Sequence, residues 1–83
     1  MLNLRFASHS IKFLDKCKYD LRERVLNKIK LLAENPFPSE CKRVKGRKEK
    51  TFRIRIGDYR VLYSVLENDL VIQDIDKRSR VYD

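Results

Sequence analysis

One alternating stretch, residues 51–66, constrains the fold more than any other part of the chain. Its first half reads TFRIRI and its second half YRVLYSVL, with Gly57-Asp58 between them. Side chains alternate between the two faces of a β-strand, so this pattern predicts two antiparallel strands joined by a tight turn. The apolar residues of both halves would face a core, and Arg53, Arg55 and Arg60 would share the opposite face.

Three arginines on one sheet face have two interpretations. Guanidinium groups match the geometry of phosphate oxygens, so a cluster of them favours a polyanionic partner. A solvated, charged outer face is also the ordinary condition of an antiparallel sheet. The alternation alone does not separate these two interpretations.

The distribution of charge favours a binding surface. The chain has 83 residues and a net charge of +8, which points to nucleic acid or an acidic protein as a partner. Residues 42–60 carry +7 of this charge and the rest of the chain only +1. The basic residues of this segment are Lys42, Arg43, Lys45, Arg47, Lys48, Lys50, Arg53, Arg55 and Arg60.

The sequence offers little for a metal, a disulfide or a membrane span. Cys17 and Cys41 are too far apart for a metal motif, and His9, the one histidine, is predicted to be a plain surface residue in the first turn of a helix. The N-terminus lacks the apolar run of a signal peptide, and no stretch approaches the roughly 20 apolar residues that span a bilayer. The sequence therefore predicts a cytoplasmic protein with free thiols, no metal and no cofactor.

The remaining pattern predicts one domain, residues 1–83, with two helices ahead of the hairpin. A strand is expected over residues 2–6, followed by a helix of about two turns with Ser8 as its N-cap. A longer helix is expected to begin with a capping box at Asp20 and to end at Asn35-Pro36. Its apolar stripe consists of Leu21, Val25, Ile29 and Leu32.

The order of these elements predicts an α+β fold. Residues 42–45 can form a short strand, and residues 70–75 are apolar enough for a central strand. The order strand–helix–helix–strand–strand–strand then gives a small, antiparallel-rich sheet covered on one face by the two N-terminal helices. The uncovered face would be the one that carries Arg53, Arg55 and Arg60.

Several motifs resemble the RelE family of bacterial and archaeal toxins, within the RelE/ParE superfamily of type II toxin–antitoxin systems. The most specific are GDYR at residues 57–60 with the VLY that follows, and Lys77-Arg78 with Tyr82. The segment RVKG at residues 43–46 also fits the family's pattern. The resemblance covers nearly the whole chain. It implies a toxin that cuts messenger RNA on the ribosome, whereas the related ParE branch keeps the fold and poisons DNA gyrase.

The resemblance also implies a set of site residues. The family's active face has two basic residues on the first hairpin strand, an arginine after the turn, a late arginine and a C-terminal tyrosine. These correspond to Arg53, Arg55, Arg60, Arg78 and Tyr82, with arginine here where the best-studied members have a lysine pair. Further contacts to RNA are expected from the neighbouring basic residues Arg43, Lys45, Arg47, Lys48, Lys50, Lys77 and Arg80.

Metal-independent cleavage of RNA proceeds by attack of a 2′-OH on its neighbouring phosphate. Arginines can stabilise the charge that develops there, but arginine stays protonated and is a poor general base. Arg78 is expected to stabilise the leaving oxygen. Tyr82 has two possible roles, proton acceptor if neighbouring cations favour its phenolate, or stacking platform for an RNA base.

Three functions are consistent with the sequence. The first is a ribosome-dependent endoribonuclease toxin, held in a hetero-oligomeric complex by an acidic, helical, RelB-like antitoxin. The second is a ParE-like, non-enzymatic toxin that binds DNA gyrase, and the third is a plain nucleic-acid-binding module. The full set of basic residues together with Tyr82 favours the first, for which ribosome and mRNA are the further partners.

Overall fold

The structure, a computed structural model, describes residues 1–47 and 49–77. Its elements are β1 (Asn3–Phe6), α1 (Ser8–Lys16), α2 (Tyr19–Glu34), β2 (Lys42–Val44), β3 (Thr51–Ile56), β4 (Tyr59–Leu66) and β5 (Asp69–Lys77). Within these residues the strands form one sheet in the order β1-β5-β4-β3-β2. β1 runs parallel to β5, and the other neighbouring strands are antiparallel. The predicted α+β fold is confirmed, and the short strand β2 lies at one edge of the sheet.

The core lies between the helices and one face of the sheet. Val25, Ile29 and Leu32 of α2 are buried, as the predicted stripe requires. They form one cluster with the core-facing strand residues, which are Ile54, Ile56, Val61, Tyr63, Leu70, Ile72 and Ile75. Burial of this apolar area is the main force that holds the helices on the sheet.

α1 begins one residue earlier than predicted and α2 two residues earlier, and neither has a side-chain cap. The N-caps are Ala7 and Lys18, so the predictions of Ser8 and Asp20 as N-caps are wrong. Docking to the sheet fixes the start of α1 instead. The Ala7 amide and the Ser10 hydroxyl both donate to the carbonyl of Ile72, at 2.9 and 3.1 Å.

An arginine from α2 caps the C-terminal end of α1. The Nε of Arg22 donates to the Leu14 carbonyl at 2.8 Å, and its Nη2 lies 3.3 Å from the carbonyls of both Asp15 and Cys17. These carbonyls belong to the last turn of α1 and to its C-cap residue, Cys17, where helical partners run out. One side chain therefore fixes the corner between the two helices. α2 itself ends at Glu34, directly before Asn35-Pro36, as predicted.

A β-bulge in β5 decides which residues reach each face of the sheet. Leu62 pairs with Asp74 and Tyr63 pairs with Ile72, so Gln73 is the extra residue on β5. The bulge keeps both Ile72 and Ile75 in the core although they lie three residues apart. It also places Asp74 opposite Leu62, on the face away from the helices.

Half of that second face is covered by the connection between β2 and β3. The side chain of Gln73 accepts hydrogen bonds from Arg47 and Thr51, each at 3.2 Å, and donates to Glu49 at 2.9 Å and Ser64 at 3.1 Å. Val44 and Leu62 form a small buried cluster nearby. The expectation that the whole face is open is therefore wrong, because only the half around Arg55 and Arg60 is uncovered.

A buried tyrosine ties the loop after α2 to the sheet. Tyr63 is 0% exposed, and its hydroxyl donates to the Pro36 carbonyl at 2.7 Å. Its ring and that of Phe52 lie 6.0 Å apart, and Phe52 meets Phe37 edge-on at 5.0 Å. Burial, and then the neighbouring Cys41, raise the pKa of Tyr63 above its ordinary value.

Cys17 and Cys41 are free thiols, as predicted. Across residues 1–47 and 49–77, neither helix has the length and the apolar run that would take it through a membrane.

Candidate nucleic-acid interface

The uncovered half of the sheet face carries cations in register across three strands. Arg55 lies directly opposite Arg60, and Arg60 lies directly opposite Asp76. Arg53, two residues before Arg55 on the same strand face, lies opposite Lys42 of β2. We call Lys42, Arg53, Arg55 and Arg60 the cation row. The structure thus brings together the three arginines that the alternation placed on one face.

Two cross-strand pairs within the cation row join like charges. Arg55 and Arg60 form one pair, and Lys42 and Arg53 form the other. Like charges directly opposite each other on a sheet are destabilising. Asp76 lies opposite Arg60 and brings one negative charge to this group. A phosphate can accept hydrogen bonds from several guanidinium groups at once, so the arrangement favours a phosphate-bearing ligand.

The cation row borders a shallow cleft at its β2 end. The cleft measures about 340 Å³ and is lined by Glu40, Lys42, Arg53 and Arg55. Glu40 also contacts Lys28 of α2, with Nζ and Oε1 3.2 Å apart, so this carboxylate already has a cationic partner. The cleft can therefore accept an anionic group on its arginine side.

Two of the basic residues that were predicted to contact RNA lie on the opposite face of the sheet from the cation row, as the strand register shows. Arg43 lies opposite Phe52, and Lys77 lies opposite Tyr59. Phe52 packs against the core, so both basic side chains project from the side of the sheet that the helices cover. Lys42, which the sequence reasoning left out of the site, takes the position beside Arg53. Only the β2–β3 register distinguishes Lys42 from Arg43, and local sequence does not reveal that register.

Three further predicted contacts lie in the connection between β2 and β3. Lys45, Arg47 and Lys50 are exposed there, and Arg47 is held by Gln73. This connection leads directly into the strand that carries Arg53 and Arg55. The remaining predicted site residues, Lys48, Arg78, Arg80 and Tyr82, lie outside the described residues.

A histidine and two carboxylates meet at the edge of the sheet next to Arg60. β1 ends at Phe6, and beyond that point α1 lies beside β5. The Nδ1 of His9 lies 2.8 Å from Oδ1 of Asp74, and a carboxylate oxygen of Asp76 lies within 4.8 Å of ligand atoms from both residues. Sequence reasoning missed this cluster because only the parallel pairing of β1 with β5 brings residue 9 to residue 74.

A wider groove lies on the helix side of the same corner. It measures about 650 Å³ and is lined by Phe13, Leu21, Tyr59 and Ile75 on its apolar wall, with Lys12, Lys16 and Lys18 among its polar residues. The rings of Phe13 and Tyr59 meet edge-on, with centroids 5.5 Å apart. His9 and Asp76 also line this groove, so it adjoins the histidine–carboxylate cluster, although its lining has no residue of the cation row.

Comparisons with known proteins show the family to which the chain belongs. A family model described as "ParE toxin of type II toxin-antitoxin system, parDE" matches residues 4–82. A candidate toxin, RelE1, from Methanocaldococcus jannaschii is 42% identical over 72 residues, covering 76% of this chain and 79% of that protein.

Solved structures share the fold along nearly the whole chain. A chain of the archaeal RelE–RelB complex from Pyrococcus horikoshii OT3 has a TM-score of 0.80 at 26% identity, covering 96% of this chain and 98% of that chain. The isolated E. coli RelE toxin has a TM-score of 0.81 at 21% identity, covering 98% of this chain and 88% of that chain, and at this identity it supports the fold alone. The chain therefore belongs to the ParE toxin family, and it is a toxin of the RelE/ParE superfamily of type II toxin–antitoxin systems, as the sequence motifs indicated.

Proposed function

We propose that this toxin is an endoribonuclease that cleaves messenger RNA on the ribosome, in the cytoplasm. The observation that carries the proposal is the cation row, which presents Arg53, Arg55 and Arg60 with Lys42 on the uncovered half of one sheet face. During phosphodiester cleavage, negative charge grows on the nonbridging oxygens. Cations that are already in position stabilise that charge without reorganising, which is often the largest catalytic effect.

The proposed reaction needs no metal ion. The 2′-oxygen attacks the adjacent phosphorus, the bond from phosphorus to the 5′-oxygen breaks, and the products carry a 2′,3′-cyclic phosphate and a 5′-OH. The ribosome would align the 2′-OH with the scissile bond, and such positioning alone lowers a barrier substantially. Arg78 would stabilise the leaving oxygen, and Tyr82 would stack on a base or move a proton.

The proposed partner is an acidic, largely helical, RelB-like antitoxin. A structural neighbour with 26% identity forms a RelE–RelB complex, and the +7 charge of residues 42–60 gives an acidic segment a surface to bind. A segment that is disordered when free can wrap such a surface and order itself there. Covering the cation row would then keep RNA away from it.

A second candidate function is a ParE-like toxin that binds DNA gyrase without catalysis. The description of the matching family, a ParE toxin of a parDE system, favours it. Binding of gyrase does not require cations aligned for a transition state, so the two functions make different demands on Arg60. A third, a nucleic-acid-binding module, predicts RNA binding without cleavage.

Substitution of Arg60 tests the proposal. We expect Arg60→Ala to lower the rate of mRNA cleavage by about 10²–10³-fold, the usual loss for one transition-state charge donor. The measurement is single-turnover cleavage by the purified toxin on ribosomes programmed with a defined mRNA. Lys30→Ala is the matched control, because Lys30 is an exposed cation on α2, away from the sheet face.

The ends of the products separate the candidate functions. Mapping 5′ ends in expressing cells and in the purified reaction should find 5′-OH ends, and cutting should persist with chelator under conditions that keep the ribosome intact. Ends with a 5′-phosphate made directly by the toxin would contradict the 2′-OH mechanism. Inhibition of gyrase supercoiling, unchanged in Arg60→Ala and without mRNA cleavage, would establish the ParE-like function instead.

A further inference from the structure

The proposed reaction requires a group that accepts the proton of the 2′-OH. The cation row does not supply it, because arginine remains protonated. A candidate must therefore lie next to the cation row, have an atom that can accept a proton and be reachable by RNA. The cluster of His9, Asp74 and Asp76 meets these conditions.

We propose that His9, positioned by Asp74, is the general base of the cleavage reaction; the inference rests on the proposed function. The Nδ1 of His9 lies 2.8 Å from Oδ1 of Asp74, and that oxygen is shielded from solvent. This contact is an ion pair and not a hydrogen bond. It engages Nδ1, so Nε2 is the ring nitrogen left to face a substrate. The His9 side chain is 59% exposed, so a ribose can approach the ring.

The position of the cluster matches the cation row. Asp76 lies directly opposite Arg60 on the adjacent strand, and its carboxylate lies within 4.8 Å of the His9–Asp74 pair. Adjacent strands are about 4.8 Å apart, so the sheet edge that carries His9 lies about two strand spacings from the backbone of β4. The long side chain of Arg60 can bind a phosphate within this gap, which brings the adjoining ribose to His9.

Asp76 has a supporting role in this arrangement. Being in register with Arg60, it opposes the like-charge repulsion between Arg55 and Arg60. Its carboxylate also lies within 4.8 Å of ligand atoms of His9 and Asp74, beside the proposed base. The same carboxylate therefore helps to keep the phosphate-binding cation and the base in one place.

The step is balanced as follows. Nε2 of His9 takes the proton of the 2′-OH while the 2′-oxygen forms its bond to phosphorus. The bond from phosphorus to the 5′-oxygen breaks with its electron pair on that oxygen, which takes a proton from solvent water. The imidazolium then returns its proton to solvent, so His9 is regenerated.

Chemical rescue of a histidine variant tests the proposal. We expect His9→Ala to cleave ribosome-bound mRNA about 10²–10³-fold more slowly than wild type, within the range for a lost general base, while its affinity for the ribosome stays unchanged. Imidazole added to the solution should raise the cleavage rate of His9→Ala at least about tenfold, since His9 lies at an exposed edge. Lys12→Ala, an exposed change on the same helix, is the matched control and should cleave like wild type.

A second variant separates positioning from proton transfer. Asp74→Asn keeps the shape of the side chain but loses the charge that orients His9, so we expect a rate about tenfold or more below wild type and no rescue by imidazole. Equal thermal stability of all variants would show that each one folds.

Each outcome decides between the roles. Wild-type cleavage by His9→Ala overturns the role of His9 and leaves the endoribonuclease in place. Loss of cleavage together with loss of ribosome binding, without rescue, makes His9 a structural residue and also overturns the inference. If a zinc-selective chelator abolishes wild-type cleavage at constant Mg²⁺, the cluster is a metal site and not a base. No mRNA cleavage by the wild-type toxin overturns the proposed function together with the inference.

Discussion

Tyr63 shows how one buried polar atom couples stability to pH. Its hydroxyl donates to the Pro36 carbonyl at 2.7 Å, and the residue is 0% exposed. Burial raises the pKa of Tyr63 in the folded state above its ordinary value. The unfolded state therefore releases this proton first as the pH rises, and folding stability falls with it.

We expect the stability advantage that Tyr63 gives to disappear in alkali. At neutral pH, Tyr63→Phe should lower the free energy of unfolding by about 1 kcal/mol, because it removes one hydrogen bond. Above pH 10, the ordinary tyrosine pKa, the wild type should lose up to about 1.4 kcal/mol per pH unit relative to Tyr63→Phe. Urea unfolding of both proteins between pH 7 and pH 11 measures this difference, and parallel curves would contradict it.

At the scale of a single residue, the sequence indicated which residues share a face of the sheet better than it indicated which residues lie next to each other across strands. The alternation correctly placed Arg53, Arg55 and Arg60 on one face. It could not choose Lys42 over Arg43, since that choice depends on how β2 pairs with β3. It could not reveal the partner of His9 either, because residues 9 and 74 are far apart in the chain.

At the scale of elements, the hairpin and the long helix depend on each other. Ile54 is 1% exposed at the centre of β3, in the same cluster as Val25 and Ile29 of α2. Ile54→Ala should lower the free energy of unfolding by about 2–4 kcal/mol, as expected for a large-to-small change in a core. Leu66→Ala on the adjacent strand should change it by less than about 0.5 kcal/mol, since Leu66 is 63% exposed.

Denaturant titration of both variants measures these values. A loss below about 0.5 kcal/mol for Ile54→Ala, equal to that of the Leu66→Ala control, would mean that β3 packs with its other face towards the helices. The predicted positions of Arg53 and Arg55 would then be wrong as well, because they alternate with Ile54.

Periodicity predicts elements well where it is local. The stripe of α2, the turn at Gly57-Asp58 and the end of α2 before Pro36 all follow from neighbouring residues, and Gly57 indeed has φ +59°. The predicted cap of α1 was wrong because a tertiary contact replaced it, as the Ala7 amide shows by donating to Ile72. The bulge at Gln73 and the covered half of the sheet depend on contacts across several strands, which no local pattern encodes.

At the scale of the whole molecule, the position of a charge should matter more than the net charge. RNA binding releases counterions, so each phosphate contact adds about 0.7–0.9 to the slope of log K against log salt. Arg55→Gln should lower this slope by about 1, because Arg55 is an exposed member of the cation row. Lys30→Gln makes the same change in net charge on α2 and should leave the slope unchanged.

Binding to single-stranded RNA across a range of salt concentrations measures both slopes. Equal slopes for Arg55→Gln and Lys30→Gln would mean that RNA responds to the overall charge of +8 and that the cation row is not the contact surface.

The pairing of β1 with β5 affects how the toxin folds during its synthesis. Asn3 lies beside Asp69 and Phe6 beside Ile72, so the sheet joins the earliest strand to a late one. A chain leaves the ribosome with its N-terminus first, and contacts over such a separation form slowly. β1, α1 and α2 are therefore translated long before β5, which they pack against, and Asp76 reaches Arg60 only after β5 has emerged. The strands that carry the cation row are thus translated before the strand that supplies Asp76, the acidic residue opposite Arg60.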